Sequence, residues 1–345
     1  MDGATGIIVC LFSTLAAALI TGTMCLFADD LGRLLNVVDK PDGRRKIHPR
    51  ATPLVGGLAV MLPLLAAAPV FAVATDFTSF YLALFAAGVV CTVLGFVDDR
   101  QHVRPSVRLL ISVGVCVAVL LMVPTFELTF FNFTFLEDAV FLSGWGMLFT
   151  LMCLVGLQNA VNMADGKNGL VIGLSLIWTT LLMIVGPAHL GPLLAAMIGG
   201  LAVAFVFNIH GRLFLGDAGA YAISMMVGLL AIYVYAVEFV IVPADLVALW
   251  FLIPVVDCIR LMVTRIARGK SPFAPDRDHL HHLLYANMPW RWGLTVYLGL
   301  VGLPSFAATM NPGTTLYWAL FSLACYGGIL ILKVRQPSES RLRLS

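Results

Sequence analysis

Long uninterrupted apolar runs constrain the fold of this chain more than any other feature. About 20 consecutive apolar residues span the ~30 Å hydrocarbon core of a bilayer as a helix, and such a run must satisfy its backbone hydrogen bonds internally. Only 12% of the 345 residues are charged, against roughly 25% in soluble globular domains, which excludes a soluble protein. We predict an all-α, polytopic integral membrane protein with about 11 transmembrane helices. The predicted spans lie near 5–27, 54–74, 79–97, 106–124, 143–161, 169–186, 190–208, 218–236, 244–264, 293–310 and 314–332.

The basic residues indicate how these helices are oriented. If the N-terminus lies outside and successive spans alternate, all 21 Lys and Arg fall on or close to the inner side, with Arg260 in the last turns of the ninth span near that face. Cytoplasmic loops carry an excess of Lys and Arg, so we predict an external N-terminus and cytoplasmic polar loops. The first span has no basic flank and no small-residue cleavage site, which predicts a retained helix rather than a signal peptide.

The remaining composition predicts a single domain. The chain has neither a clear internal repeat nor a low-complexity linker, so we assign residues 1–345 to one integral membrane domain. Its seven Cys all fall within apolar runs and form no CxxC pair, which is typical of packing residues rather than a disulfide framework. The net charge of +2 says little about partners, because the information lies in the one-sided placement of Lys and Arg. We expect the lipid bilayer as a partner and no nucleic acid.

Five polar segments lie on the predicted cytoplasmic side. The first covers 37–57 and contains Lys46, His48 and the pair Gly56–Gly57. These glycines open a predicted helix, where they would let another part of the backbone approach closely. The basic cluster has two interpretations, which are binding of a substrate and contact with anionic lipids.

The second segment is the pair Asp98 and Asp99 at the end of an apolar run. Two adjacent carboxylates at a helix C-terminus oppose the helix dipole and repel each other. Ionisable residues at membrane depth are costly and usually functional. We therefore favour a functional role over a solvated loop.

The third segment, NAVNMADGKNGL, covers 159–170. On a helix, Asn159, Asn162 and Asp165 would share one face. Asp165–Gly166 and Asn168–Gly169 are turn dipeptides, so a loop alone explains those two pairs. A loop does not explain the two Asn in the last turns of an apolar helix, which therefore indicate a site.

The last two segments add a carboxylate and a group of imidazoles. Asp217 lies between glycines at the start of an apolar run, and capping alone needs only the Asp. His279, His281 and His282 lie close together beside Arg277. Three close His are compatible with zinc, yet no Cys accompanies them, and phosphate binding is the more economical interpretation.

Together the five segments supply groups for two kinds of ligand on one membrane face. Carboxylate and amide oxygens suit a hard cation such as Mg²⁺, and basic side chains suit phosphates. A metal ion and cations directed at phosphate oxygens are the equipment of phosphoryl transfer. The membrane setting indicates that one substrate is a lipid.

The order of the motifs resembles a known family. D-x-P-x-x-R-R-K-x-H with P-x-x-G-G, then D-D, N-x-x-N-x-x-D-G-x-x-G, G-D-x-G and H-x-H-H lie within residues 39–282. This set is similar to the polyprenyl-phosphate N-acetylhexosamine-1-phosphate transferases, and most like the WecA-type bacterial branch. The resemblance implies an all-helical enzyme of the bacterial inner membrane with a cytoplasmic active site. The implied substrates are a UDP-N-acetylhexosamine, here UDP-GlcNAc, and undecaprenyl phosphate.

The resemblance also implies roles for the acidic residues. Asp217 and the amide of Asn162 would hold Mg²⁺, or alternatively Mn²⁺, on the UDP-sugar pyrophosphate. Asp98 would serve as the base for the lipid phosphate or would orient it, with Asp99 in support. Asp165 would be a further catalytic or structural carboxylate.

A second set of residues is expected to bind substrate. Bacterial members of the family usually have Asp where this chain has Asn168, and an amide can both donate and accept hydrogen bonds. We therefore assign Asn168 to the uridine pocket. The other expected substrate-binding residues are Lys46, His48, Arg277, His279, His281 and His282.

Several alternatives remain open from the sequence. UDP-MurNAc-pentapeptide or another UDP-HexNAc could replace UDP-GlcNAc as donor. Transfer could be direct or could pass through an aspartyl-phosphate, and a homodimer is possible. A transporter or flippase would need charges at mid-membrane depth and broken helices, which the pattern does not favour, and a non-catalytic scaffold would not need so many acids.

Overall fold

A computed structural model describes residues 3–41, 51–73, 76–272 and 278–334 of the chain. These residues are almost entirely helical, and each predicted span coincides with a helix. The helices are α1 (Gly3–Leu26), α2 (Ala28–Leu35), α3 (Gly56–Val73), α4 (Thr78–Gln101), α5 (Pro105–Met122), α6 (Gly146–Ala164), α7 (Leu170–Val185), α8 (Gly191–Ile209), α9 (Gly216–Glu238), α10 (Ala244–Ala267), α11 (Leu280–Asn287), α12 (Trp290–Met310) and α13 (Thr315–Val334).

The length and hydropathy of these helices confirm an all-α polytopic membrane protein. Within the described residues, nine helices are long and apolar enough to span a membrane, and shorter apolar helices cover 56–67 and 170–185. The short helices α2 and α11 were not expected from the sequence. The total of about 11 spans and their orientation stay predictions.

Helix α9 forms the centre of the bundle. Its most apolar window is 89% buried, whereas the corresponding windows of α1 and α13 are 11% and 17% buried. Helices α3, α4, α6 and α7 pack around α9. Because Asp217 lies in the first turn of α9, the fold places this carboxylate at one end of the most enclosed helix.

Glycines allow three helices to meet at the Asp217 end of α9. A Cβ atom on Gly57 would overlap the backbone of Gly219, and one on Gly95 would overlap the backbone of Asp217. The amide N–H of Gly57 donates to the Leu215 carbonyl at 2.8 Å. The predicted close backbone approach at the start of α3 is therefore confirmed, and its partner is the α9 N-terminus.

Two short antiparallel ribbons complete the described structure. Strands β1 (Val38–Asp39) and β2 (Thr52–Pro53) pair and join the ends of the first polar segment. Strands β3 (Phe130–Phe131) and β4 (Val140–Phe141) form a hairpin that is attached to the opposite end of α9, because the Tyr235 hydroxyl donates to the Phe130 carbonyl at 3.0 Å. The aromatic hairpin and the carboxylates thus lie a helix length apart.

Candidate active site

Asp98 lies in the last turn of α4 and is buried, with 5% of its surface exposed. Its carboxylate accepts hydrogen bonds from the Tyr221 hydroxyl at 2.7 Å and the Val103 N–H at 2.7 Å. It also forms an ion pair with Arg108 at 2.8 Å. Arg108 in turn donates to the Tyr221 hydroxyl at 2.6 Å. Charge-assisted donors of this kind hold a carboxylate in a fixed orientation.

Asp99 faces in another direction and contacts the N-terminus of α9. Its carboxylate accepts from the N–H groups of Asp217 at 2.9 Å and Ala218 at 3.2 Å. Gly216 precedes them with a φ of +76°, and a Cβ atom there would lie 2.7 Å from an Asp99 oxygen. An anion is stabilised at a helix N-terminus. This contact offsets the unfavourable position of Asp99 at the C-terminus of α4.

Asp217 and Asn162 are directly bonded, so the two predicted metal ligands lie together. The Asn162 amide Nδ2 donates to Asp217 Oδ1 at 2.6 Å. Amide O and N positions are interchangeable by rotation, and such a flip would turn the amide oxygen of Asn162 toward the same point as the carboxylate. Carboxylate and amide oxygens are hard ligands that fit Mg²⁺.

Asp165 follows the last residue of α6 and adds a further acid to this group. Burial, and then the charge of Asp217, raises the pKa of Asp165 to about 7. Asn159, three residues before Asn162 on the predicted face, uses its amide to donate to the Val155 carbonyl at 2.8 Å. The residues of the predicted face therefore have different contacts. Asn162 bonds to Asp217, whereas Asn159 bonds back to its own helix.

A narrow cleft of about 30 Å³ opens beside Asp98 between α5 and α6. Its polar lining residues are Arg108, Ser112, Gln158, Asn159 and Tyr221, and its apolar lining residues are Pro105 and Leu109. Leu109 is exposed toward the bundle surface at 45%. The cleft therefore connects a cationic side chain next to Asp98 with the apolar flank of α5.

Asn168 lies in the turn between α6 and α7, which is anchored on both sides. Its carbonyl accepts from the Trp290 indole N–H at 2.7 Å, and the next residue, Gly169, donates its N–H to the Asn208 amide oxygen at 2.5 Å. A Cβ atom on Gly211 would lie 3.4 Å from the Asn168 amide nitrogen. The side chain thus faces the α8–α9 connection, and its assignment to a uridine pocket stays a prediction.

Helix α11 brings the histidines to the same turn. His281 is 1% exposed, and its Nε2 atom has no hydrogen-bond partner within the described part of the chain. A Cβ atom on Gly166 would overlap that nitrogen, so Nε2 points at the Asp165–Gly166 turn. Burial, followed by the charges of His282 and His279, holds the pKa of His281 well below its usual value. The imidazole is therefore neutral at pH 7.

Sequence reasoning missed an acid that supports these histidines. Asp257 is buried within α10, and its carboxylate accepts from His279 Nδ1 at 3.0 Å, Arg260 at 2.8 Å and the Tyr326 hydroxyl at 2.8 Å. The signal was available, because an ionisable residue inside an apolar run is itself a functional indication. Because Asp257 lies inside α10, the expectation that no charge lies at mid-membrane depth is wrong.

Tyr221 was missed as well, because a tyrosine in an apolar run looks like a packing residue. Arg108 entered the sequence argument only through its charge. Lys46, His48 and Arg277 lie outside the described residues, and the structure leaves their predicted substrate-binding roles as predictions. The structure brings Asp98, Asp99, Asn162, Asp165 and Asp217 together, with the histidines across the turn that follows α6.

Comparison with known proteins places this arrangement in a family. Residues 81–235 match the model of glycosyl transferase family 4. The undecaprenyl-phosphate alpha-N-acetylglucosaminyl 1-phosphate transferase of Escherichia coli K12 is 31% identical over 279 residues, which cover 77% of this chain and 74% of that protein. The Yersinia pestis protein of the same name is 32% identical over 264 residues, or 72% and 70% of the two chains.

A Bacillus subtilis protein named "Probable undecaprenyl-phosphate N-acetylglucosaminyl 1-phosphate transferase" is 28% identical over 298 residues, which cover 83% of this chain and 80% of that one. The matched family segment contains the Asp98–Asp99 pair, Asn162, Asp165 and Asp217. These similarities extend over most of the chain and include the clustered acids. The chain belongs to glycosyl transferase family 4.

Proposed function

We propose that the chain transfers N-acetylglucosamine-1-phosphate from UDP-GlcNAc to undecaprenyl phosphate, which yields undecaprenyl-pyrophosphoryl-GlcNAc and UMP and initiates a cell-surface polysaccharide. An oxygen of the lipid phosphate forms a bond to the sugar-linked phosphorus, and the bond from that phosphorus to the oxygen of UMP breaks. One observation carries the proposal. Asp98 with Arg108, and Asp217 with Asn162, meet at one end of α9, in a chain similar to enzymes named for this reaction.

Asp217 and Asn162 are the residues that would hold Mg²⁺. Their oxygen donors fit that ion, and within the described residues no group of three or more His, Cys, Asp and Glu could hold a metal. Mg²⁺ usually binds through one or two protein groups, with waters and substrate phosphates completing its coordination. When bound, the ion would neutralise charge on the donor pyrophosphate.

The lipid phosphate is assigned to the cleft beside Asp98. A phosphate arriving from the bilayer along α5 would meet Arg108 first, and a guanidinium binds phosphate through paired N–H groups. Because the lipid phosphate is already largely ionised at neutral pH, with a second pKa near ~6, Asp98 has little need to act as a base. We assign Asp98 to orienting Arg108 and Tyr221 at the nucleophile.

The orientation of the site rests on the one-sided Lys and Arg. We propose that the site faces the cytoplasm of a bacterial inner membrane. Single cysteines introduced at 270–272 should react with thiol reagents only after the membrane is made permeable, whereas cysteines at 133–138 should react in intact cells. Labelling of 270–272 in intact cells would overturn the orientation.

The experiment that tests the function is an assay with purified full-length protein, undecaprenyl phosphate and Mg²⁺ against a panel of UDP-sugars. We expect UMP release with UDP-GlcNAc that depends on both the lipid and the metal. UMP release with UDP-MurNAc-pentapeptide or another UDP-HexNAc alone would replace the proposed donor. Absence of UMP release with every donor would overturn the proposed reaction.

A further inference from the structure

The network around Asp257 ties three helices together near the candidate site. Asp257 Oδ1 accepts from Arg260 of the same helix and from Tyr326 of α13, both at 2.8 Å. Oδ2 accepts from His279 Nδ1 at 3.0 Å and from the Leu280 N–H at 3.1 Å. All four lone-pair positions of this buried carboxylate are thus occupied, and two of the donors begin α11.

His279 has both ring nitrogens engaged by protein groups. Nδ1 faces the Asp257 carboxylate, and Nε2 lies 3.4 Å from a guanidinium nitrogen of Arg265. Nδ1 must donate to the carboxylate and Nε2 must accept from the guanidinium, which carries donors only. The Nδ1–H tautomer is the form that satisfies both neighbours.

His281 presents the opposite situation. Its ring stacks on His279 with centroids 5.3 Å apart, yet its Nε2 has no partner among the residues that the structure describes and is directed at the Asp165–Gly166 turn. Buried polar atoms are nearly always hydrogen-bonded. An orphan nitrogen beside a cluster of acids therefore indicates a ligand or a group that arrives during the reaction.

We propose that Asp257 is a positioning residue for this site, acting through His279 to set the direction in which His281 Nε2 enters the Asp165–Gly166 turn. His279 thus orients α11 and does not bind the substrate itself. Tyr326 and Arg260 hold the Asp257 carboxylate in place, so the peripheral helix α13 takes part in the site. The proposal rests on the proposed function and names residues for it that the motifs do not include.

The charges of the network are compatible with a permanent structure. Asp257 is paired with the cation Arg260, which also donates to the Asp278 carbonyl at 2.6 Å and to the Tyr326 hydroxyl at 2.7 Å. A buried charge is tolerated when it is paired and its remaining hydrogen bonds are satisfied. The network is therefore a fixed support, whereas the nitrogen it directs remains unsatisfied.

The first test compares Asp257→Asn with Ser322→Ala in purified full-length protein. Asn keeps the size of Asp257 but cannot accept hydrogen bonds on both sides, so kcat/KM for UDP-GlcNAc should fall about 10- to 100-fold, as it does when a carboxylate that orients a metal-bound histidine is lost. Ser322 is buried on α13, and its hydroxyl has no hydrogen-bond partner among the described residues. Its removal should leave kcat/KM unchanged.

A double-variant comparison separates positioning from general loss of stability. If Asp257 acts through the histidines, Asp257→Asn combined with His281→Asn should lower kcat/KM no further than the more damaging single change, because coupled residues are not additive. If the losses of kcat/KM in the two single variants multiply in the double variant, and the unfolding temperature falls in parallel, Asp257 has a merely structural role. That result would overturn the proposal.

A spectroscopic readout keeps the proposal testable apart from the reaction. In protein with ¹⁵N-labelled histidine, the signals that disappear in His279→Gln should report an Nδ1–H tautomer. Asp257→Asn should shift the His279 Nδ1 signal, because an amide oxygen is a weaker acceptor than a carboxylate, whereas Ser322→Ala should leave it in place. A His279 Nδ1 signal that is insensitive to Asp257→Asn would overturn the proposal even if the enzyme is active. A wild-type protein without transferase activity but with this signature would reject only the proposed function.

Discussion

The candidate site has two halves whose electrostatics differ. The carboxylate half consists of Asp98, Asp99, Asp165 and Asp217 at the ends of α4, α6 and α9, and the histidine half consists of Asp257, His279, His281 and the residues that hold them. In the carboxylate half, Asp217 faces the charges of Asp98, Asp99 and Asp165. In the histidine half, the acid Asp257 is already paired with Arg260 and His279.

This difference indicates what each half can do. Acids that repel one another lower their free energy when a cation is added, so the carboxylate half is suited to hold Mg²⁺ and through it a pyrophosphate. A paired and fully hydrogen-bonded acid gains little from a further ligand, so the histidine half is suited to fix geometry. We infer that the carboxylate half binds the metal ion and that the histidine half fixes the orientation of the groups around it.

The largest effect is expected in the carboxylate half from Asp217→Asn. It removes the charge proposed to hold Mg²⁺, so transfer should fall by at least ~100-fold, comparable to the loss of one preorganised electrostatic contact in other enzymes. The dependence on Mg²⁺ concentration should disappear with it. The matched control is Asp245→Asn at the opposite end of the bundle, where Asp245 bonds to Thr134. Near-normal turnover of Asp217→Asn would remove this residue from the metal site.

Arg108→Lys tests whether the cleft beside Asp98 receives the lipid phosphate. Lys keeps the positive charge next to Asp98 but loses the planar fork of donors. A hydrogen bond to a charged group contributes ~1.5–3 kcal/mol, so KM for undecaprenyl phosphate should rise about tenfold or more in mixed micelles. KM for UDP-GlcNAc should stay nearly constant. The control Arg104→Lys changes a residue at the N-terminus of the same helix, and an equal effect there would contradict a specific role for Arg108.

Asn168→Asp tests whether the turn between the two halves binds the uridine. The change keeps an acceptor and removes an amide donor, which costs ~1–3 kcal/mol for an unmade buried hydrogen bond. At the lower end this is about a fivefold increase in KM for the UDP-sugar. The uridine is remote from the reacting phosphorus, so kcat should change little, whereas Asp165→Asn should lower kcat. A lower kcat with unchanged KM in Asn168→Asp would show that Asn168 does not contact the nucleobase.

The smallest expected effect concerns the stability of the histidine half at low pH. The pKa of His281 is depressed in the folded protein, so the unfolded chain binds more protons as the pH falls below ~6.5. The free energy of unfolding should therefore decrease on acidification from pH 7.5 to 5.5, by at most ~1.4 kcal/mol per pH unit for this group.

The pKa of the His281 imidazole also responds to the charges of Lys167, His279, His282 and Asp257. Thermal unfolding of His281→Asn therefore isolates the contribution of His281 itself to the pH dependence of stability. The variant should lose less stability between the two pH values than the wild type does. An equal loss in both proteins would contradict a neutral, buried His281.

The two halves also differ in how well the sequence predicts them. The carboxylates could be found because Asp98–Asp99 and Asp217 interrupt apolar runs at their ends, where a charge has no obvious structural purpose. The contact of Asp99 with the α9 N-terminus could not be found, since it depends on how α4 and α9 cross at Gly95. The spans themselves were predictable, because hydrocarbon thickness fixes their length.

The histidine half was predicted only through its motif. Asp257 lies inside a predicted span, and its partners His279 and Tyr326 are 22 and 69 residues away in the chain. No local periodicity relates them, so only the packing of α10 and α11 against α13, with the hydrogen bonds of Asp257, shows that they form one network. The direction of His281 Nε2 likewise depends on the absence of a side chain at Gly166.

The destination of the donor's phosphorus tests the central claim most directly. Purified protein would be incubated with undecaprenyl phosphate, Mg²⁺ and UDP-GlcNAc that carries a radioactive label only on the sugar-linked phosphorus. The proposed reaction moves that phosphorus into the lipid fraction together with GlcNAc, and it releases unlabelled UMP in equal amount. Label that remains in a released nucleotide while GlcNAc enters the lipid would mean attack at the sugar carbon. That result would contradict the phosphoryl transfer for which both halves of the site are assigned.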